Sequence, residues 1–184
     1  MIRWLMNRML ARFEREWNYD ASYLRDMIAA DPSAVLAFAK LSGLGRYRRD
    51  VPLAVYHAVA IAGTMAEDCG PCTQLTVDRA EREGVAPALL RAIVAKDIGA
   101  MPQEVALGLG FADLTLRHAP EADAVREEIV RRWGRRALIS LTFALVAARL
   151  FPTAKYALGH GRACRRLTIA GQITPVVGAA SRAA

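Results

Sequence analysis

The sequence predicts an all-α protein. Three observations carry that expectation. Apolar residues recur at helical spacing through most of the chain, no stretch alternates with period two over more than a few residues, and prolines and glycines punctuate the apolar runs where helices start and stop. At 184 residues, with 54% hydrophobic and 23% charged residues, the chain is long enough to bury a core without disulfide staples and is not disordered in composition.

The elements follow in order. Ile2, Leu5, Met6, Met9, Leu10, Phe13 and Trp17 share one side of a helix, with Arg3, Arg8, Arg12 and Arg15 mostly on other faces. Such a basic amphipathic helix, residues 1–18, suits docking on its own domain or on a second subunit, and alternatively contact with an anionic membrane surface. Asp20 is placed to cap a second helix. Asp31-Pro32 starts a third, which Gly43 and Gly45 end. Val51 to Ala66 is nearly all apolar and too long for a typical strand, so it reads as a buried helix, with His57 inside it. Pro71, Pro87, Pro102, Pro120 and Pro152 each mark a helix start, and Gly134 a break. The main helical domain spans 19–164. The tail, 165–184, has no clear period and is expected to be loosely ordered.

Between two of these helices lies Glu67-Asp68-Cys69-Gly70-Pro71-Cys72. Pro71 belongs in a first turn, which puts Cys69 near the N-cap and Cys72 inside the turn. Free N–H groups and the positive end of the helix dipole favour thiolates there. A dithiol so placed is suited to thiol–disulfide exchange, one sulfur attacking and the other resolving. The bland readings are two buried core cysteines or half of a zinc site, with His160 and Cys164 completing a Cys₃His set. A non-catalytic interaction module using the N-terminal helix is a third.

Three cysteines cannot all pair within one chain, so a secreted disulfide framework is not expected, and a reducing cytoplasm suits the count. Net charge is +7, from 22 arginines and three lysines spread along the chain. No aromatic-interleaved basic motif accompanies them, which argues against nucleic acid as partner. Val51–Ala66 and Ala137–Ala148 are both short for a membrane span, and the N-terminus lacks the apolar core and small-residue cleavage site of a signal peptide. Leu53–Ala66 followed by Pro71 echoes Ala137–Phe151 followed by Pro152, the pattern of a degenerate duplication.

Cys-Gly-Pro-Cys is also the active-site sequence of thioredoxins, but there it follows a strand, and here only helix precedes it. An all-helical chain with C-x-x-C opening a helix after a buried Ala-rich helix resembles the alkyl hydroperoxidase D-like branch of the carboxymuconolactone decarboxylase family. The likeness runs through Glu81-Arg82-Glu83-Gly84-Val85-Ala86-Pro87-Ala88-Leu89-Leu90 and spans about Ala34 to His160. It implies an all-α bundle, often duplicated and assembled as trimers or hexamers. It also implies a peroxidase that needs no cofactor beyond its dithiol, or an electron donor to a peroxiredoxin, with a thiol reductant. The family pattern is Glu, eleven residues, C-x-x-C, three residues, His. Cys69 and Cys72 match, with Cys72 at the position that is oxidised; thioredoxin-like logic would instead make Cys69 the attacking sulfur. His57 stands at the Glu position and Thr76 at the His position. The resemblance thus implies that the chain folds back to bring His57, as proton acceptor, to the dithiol.

Overall fold

The computed structural model describes residues 1–162 and 166–176. Its helices are α1 (Ile2–Trp17), α2 (Ser22–Ala30), α3 (Pro32–Leu41), α4 (Leu53–Ala66), α5 (Gly70–Arg82), α6 (Pro87–Ala95), α7 (Gln103–Leu116) and α8 (Ala122–Ala157). A short antiparallel pair, β1 (Arg166–Ile169) and β2 (Gln172–Pro175), closes the order. The fold is all-α with this one small hairpin.

The axis of the fold is α4. Ten of its fourteen residues are buried, as expected of a helix apolar on all sides. It packs against α8, α7, α5 and α6. Two glycines let its neighbours approach: a Cβ on Gly63 would stand 2.9 Å from the Cβ of Ala148 in α8, and one on Gly108 of α7 would stand 2.7 Å from Val55 Cγ1. The core around it gathers Val55, Val59, Ile61, Leu90, Ile93, Ile129 and Leu141.

Helix starts follow the punctuation. Asp31 accepts from the Ser33 N–H at 2.8 Å with Pro32 in the first turn of α3; at α2 the N-cap is Ala21 rather than the expected Asp20, which accepts from the Ser22 N–H at 3.0 Å from one residue further out. Gly134, at φ 82° and ψ 172°, interrupts α8.

Three expectations need correction. Pro152 does not start a helix; it lies inside α8. Phe151 packs edge to face on Phe38 and Lys155 is anchored to α2's entry, so tertiary contacts hold the helix together across the lost amide bond. The echo of α4 and α5 therefore runs on without the break that separates those two. Running on through Pro152, α8 is also longer than the span read from Ala137–Ala148: by length and composition alone, it is the one helix among the described residues able to cross a membrane. Here it supplies buried Ala137, Ser140, Leu141, Ala144 and Leu145 to the core side. Finally, residues 166–175 are an ordered hairpin rather than a loose tail. Leu167 and Ile169 point into the main core, and the two-residue turn Ala170-Gly171 has positive φ at both positions, which matches the twist of paired strands.

The first three helices form a separate layer. Tyr19, Ala21 and Tyr23, between α1 and α2 and at the start of α2, make a second apolar cluster with Cys69 and Cys72, flanked by Leu10, Phe13, Phe38 and Phe151. That layer roofs the dithiol.

Candidate active site

The dithiol sits on a sharp turn. After α4 ends, Asp68 takes a left-handed conformation (φ 50°), and Cys69 becomes the N-cap of α5 with Cys72 three residues on. The end of α8 and the segment after it clamp this turn: the Tyr156 hydroxyl donates to the Asp68 carbonyl at 2.8 Å, and the Gly70 N–H donates to the Arg162 carbonyl at 2.9 Å. The opening amides of α5 are then nearly used up. Gly70 is bonded to Arg162, Pro71 has no N–H, and the Thr73 N–H returns to the Cys69 carbonyl at 2.9 Å. The Cys72 amide is left for the Cys69 sulfur, which it reaches as a nearby dipole rather than as a conventional capping bond.

Both cysteines are free thiols and buried. The Cys69 thiol is lowered from its ordinary 9.0 to about 7. Hydrogen bonding from the Cys72 thiol is the main cause; burial opposes it, and the Cys72 amide and the charge of Lys155 assist. Cys72 is pushed far up, because it donates to Cys69, is buried, and faces the Cys69 charge. Two sulfurs so coupled titrate as a pair. The first proton leaves near neutrality and the second is retained.

Two groups beside the pair were not foreseen from the sequence. The Tyr19 hydroxyl lies 3.6 Å from Cys72 Sγ; burial raises its own pKa, so it stays protonated and able to donate. Lys155 is fully buried. Its Nζ donates to the Asp20 carbonyl at 2.8 Å and stands 4.5 Å and 5.4 Å from the ring centres of Tyr19 and Tyr23. Its partners are a carbonyl and two rings rather than a carboxylate, which leaves its charge free to favour a thiolate. A lysine in an apolar helix of a chain with only three lysines was a signal available to sequence reading.

A cavity of about 820 Å³ opens beside the dithiol, walled by the α1–α3 layer, α4, α5 and α8. Cys72 lines it; Cys69 lies behind, fully buried. One face of α5 runs along the wall as Cys72, Leu75, Thr76, Arg79, Arg82 and Glu83. Opposite, α4 contributes His57, Ala60 and Thr64.

His57 and the dithiol share this cavity without meeting. The chain does fold back, but about Glu67 and Asp68, so His57, ten residues before that turn, meets the far end of α5 and its cap, Arg79 and Glu83, rather than the cysteines at its start. His57 Nε2 is 3.3 Å from Glu83 Oε2, yet poorly aligned, and remains buried with no hydrogen bond. Glu83 lies eleven residues beyond Cys72, roughly 16 Å along the helix axis. Burial lowers the His57 pKa, with Glu83 partly opposing. Burial tends to raise that of Glu83, but Arg48, at 2.6 Å, and His57 hold it below the usual value. Thr76 spends its hydroxyl on the Cys72 carbonyl at 2.9 Å.

His160, the described partner in the zinc set, is engaged with other side chains. His160 Nδ1 is hydrogen-bonded with Ser22 Oγ at 2.9 Å, and its Nε2 with the Asp26 carboxylate at 2.7 Å. Cys164 lies outside the described residues, among which no three His, Cys, Asp or Glu side chains converge as a metal site.

No family model, curated protein or solved structure matches the chain.

Proposed function

We propose that the chain is a thiol–disulfide oxidoreductase whose Cys69–Cys72 dithiol reduces hydroperoxides or relays electrons to a peroxiredoxin-type partner, as the resemblance to alkyl hydroperoxidase D-like proteins implies. The observation that carries this reading is the placement of the dithiol: two free thiols sit at the start of α5, with Cys72 lining a cavity and Cys69 behind it, and the lowering of the Cys69 thiol by its hydrogen bond from Cys72 agrees with it.

The chemistry follows from that placement. The proton of Cys72 passes to Cys69, and the Cys72 thiolate attacks the terminal peroxide oxygen. The O–O bond breaks, Cys72 becomes a sulfenic acid, and the departing alkoxide takes the proton held on Cys69 and leaves as the alcohol. The Cys69 thiolate then displaces hydroxide from Cys72, forming the disulfide; hydroxide and a solvent proton give water. An external thiol or dithiol returns the pair to its reduced form. Tyr19 and Lys155 steady the Cys72 thiolate during attack. His57 serves the far end of the cavity, where it would meet bound substrate rather than the sulfurs.

This reading places the protein in a reducing compartment such as the cytoplasm and as a homo-oligomer, a trimer or hexamer by the family resemblance. Exposed Ile2, Trp4, Leu5 and Met9 on α1 and Leu36 and Leu41 on α3 offer apolar surface to a second copy.

The test is thiol loss on mixing with cumene hydroperoxide and, separately, with a small disulfide. Wild type should lose two thiols for each peroxide consumed, Cys69→Ser should trap a sulfenic acid on Cys72, and Cys72→Ser should be inert. Cys164→Ser should behave as wild type. A dithiol that consumes neither oxidant, or stoichiometric zinc in the purified protein, would overturn the proposal.

A further inference from the structure

The cavity has two chemically distinct ends. Around Cys72 the wall is aromatic and aliphatic: Leu10, Phe13, Tyr23, Phe38, Leu75 and Phe151. The other end is basic. Arg46, Arg48, Arg79 and Arg82 line it against a single carboxylate, that of Glu83. Glu83 is engaged by Arg48, and Arg82 pairs with Glu16 outside the cavity wall. Arg46 and Arg79 have no carboxylate at ion-pair distance among the described residues. Arg79 opens onto the cavity with its guanidinium 5.5 Å from the Trp17 ring centre. The walls desolvate it, which lowers its pKa; Tyr19 and Glu83 oppose this, and the charge of Arg46 adds to the lowering. Four arginines against one carboxylate, itself engaged by Arg48, leave this end of the cavity short of negative charge.

A further polar atom lies at the same end. His57 is 4% exposed and lines the cavity, and its buried Nε2 makes no formed hydrogen bond, with only the Glu83 carboxylate near it at 3.3 Å. A buried polar atom left so is costly unless a ligand completes it. Cys72 and Arg79 lie on one face of α5, seven residues and so about 10 Å apart along its axis. That spacing sets the separation of reacting group and head group in whatever fills the space. The volume suits one small molecule with a single chain and not a two-chain lipid.

We propose that the cavity binds a single-chain amphipathic carboxylate, with its alkyl body against the aromatic end beside Cys72 and its head group held by Arg79, Arg46 and His57. As the substrate class of the dithiol, this means a medium-chain carboxylic acid carrying a hydroperoxide away from its head, and in that respect it rests on the redox reading above. Planar guanidinium groups meet a carboxylate in two parallel hydrogen bonds. The alkyl body supplies affinity, while the head fixes the depth at which the peroxide meets sulfur.

Binding is testable without turnover. Dodecanoate, dodecanol and dodecyl phosphate are titrated calorimetrically into the reduced full-length protein, wild type and the double variant Arg46→Gln, Arg79→Gln, with the double variant Arg131→Gln, Arg135→Gln as a charge-matched control remote from the cavity. Dodecanoate should bind at least about tenfold more tightly than dodecanol, the worth of one charge-assisted contact. The Arg46→Gln, Arg79→Gln variant should erase that preference and leave dodecanol unchanged, and the control pair should change neither. Equal affinity for dodecanoate and dodecanol, an unaffected Arg46→Gln, Arg79→Gln variant, or tighter binding of dodecyl phosphate than of dodecanoate would overturn the proposal. The two readings fail separately. Oxidation of the dithiol by cumene hydroperoxide with no dodecanoate binding removes only this inference. Selective dodecanoate binding by a protein whose dithiol consumes no oxidant supports the site and removes the redox reading.

Discussion

If the thiol pair holds one proton near neutrality, stability must change with pH in a way that depends on Cys69. In the unfolded chain the thiol ionises at its ordinary 9.0; in the folded chain it does so at about 7. A group whose folded pKa is depressed adds stability that is complete above the unfolded value and is lost as pH falls through the folded value. The gain is thus absent below about pH 7, grows between 7 and 9, and reaches about 3 kcal/mol, each pH unit of separation being worth about 1.4 kcal/mol. Above pH 9 the trend reverses: both thiols ionise in the unfolded chain, while folding still holds Cys72 protonated. Urea unfolding of wild type and Cys69→Ser under reducing conditions, between pH 6 and 10, isolates this contribution from the other titrating groups. The difference between the two proteins should peak near pH 9. Ultraviolet thiolate absorbance should show the first ionisation with a midpoint near 7. Parallel stability curves, or a first midpoint above 8.5, would refute the shared proton and with it the mechanism.

Other expectations are more direct. Tyr19→Phe removes the hydroxyl beside Cys72 and should slow peroxide-driven thiol loss by about tenfold, the worth of a weak hydrogen bond to a charged sulfur, measured by stopped-flow. His57→Gln should leave the thiolate midpoint and the pH profile of cumene hydroperoxide oxidation unchanged, since His57 lies at the other end of the cavity; loss of the low-pH limb would make it the base for the dithiol after all. Gly63→Ala forces a methyl against Ala148 and Leu145 and should cost about 2 kcal/mol in chemical denaturation. In sedimentation the protein should run as an oligomer, and a stable monomer at micromolar concentration would contradict that.

Much of this fold is written in local chemistry. Asp31-Pro32, Pro87 and the all-apolar run of α4 announce their helices because capping, a missing amide and burial act within a few residues. The placing of Cys69 and Cys72 on the first turn of α5 follows from Pro71 in the same way. Pro152 misled because packing by Phe151 and Lys155, set by distant partners, outweighs a local breaker. The hairpin was legible: two short β-branched runs, Leu167-Thr168-Ile169 and Ile173-Thr174, flank a two-residue turn ending in Gly. The position of His57 was also open to arithmetic, because a tight turn at Glu67-Asp68 sets residue 57 against the far end of α5. Tyr19 carried no such mark. It reaches Cys72 only because α1 and α2 fold over the dithiol, a relation between segments fifty residues apart.

The side chain of Gln74 covers one edge of the small hairpin. Its amide imitates a peptide group: Nε2 donates to the Thr168 carbonyl at 2.8 Å, and Oε1 accepts from the Thr168 N–H at 2.8 Å. Those are the groups that β1 turns away from β2, and on a bare sheet edge they would invite a strand from another molecule. One glutamine two residues past Cys72 thus stands in for a missing strand. Gln74→Leu would uncover that edge, and concentrated solutions should then assemble through added β-structure, visible as a rising strand signal in infrared spectra that dilution reverses.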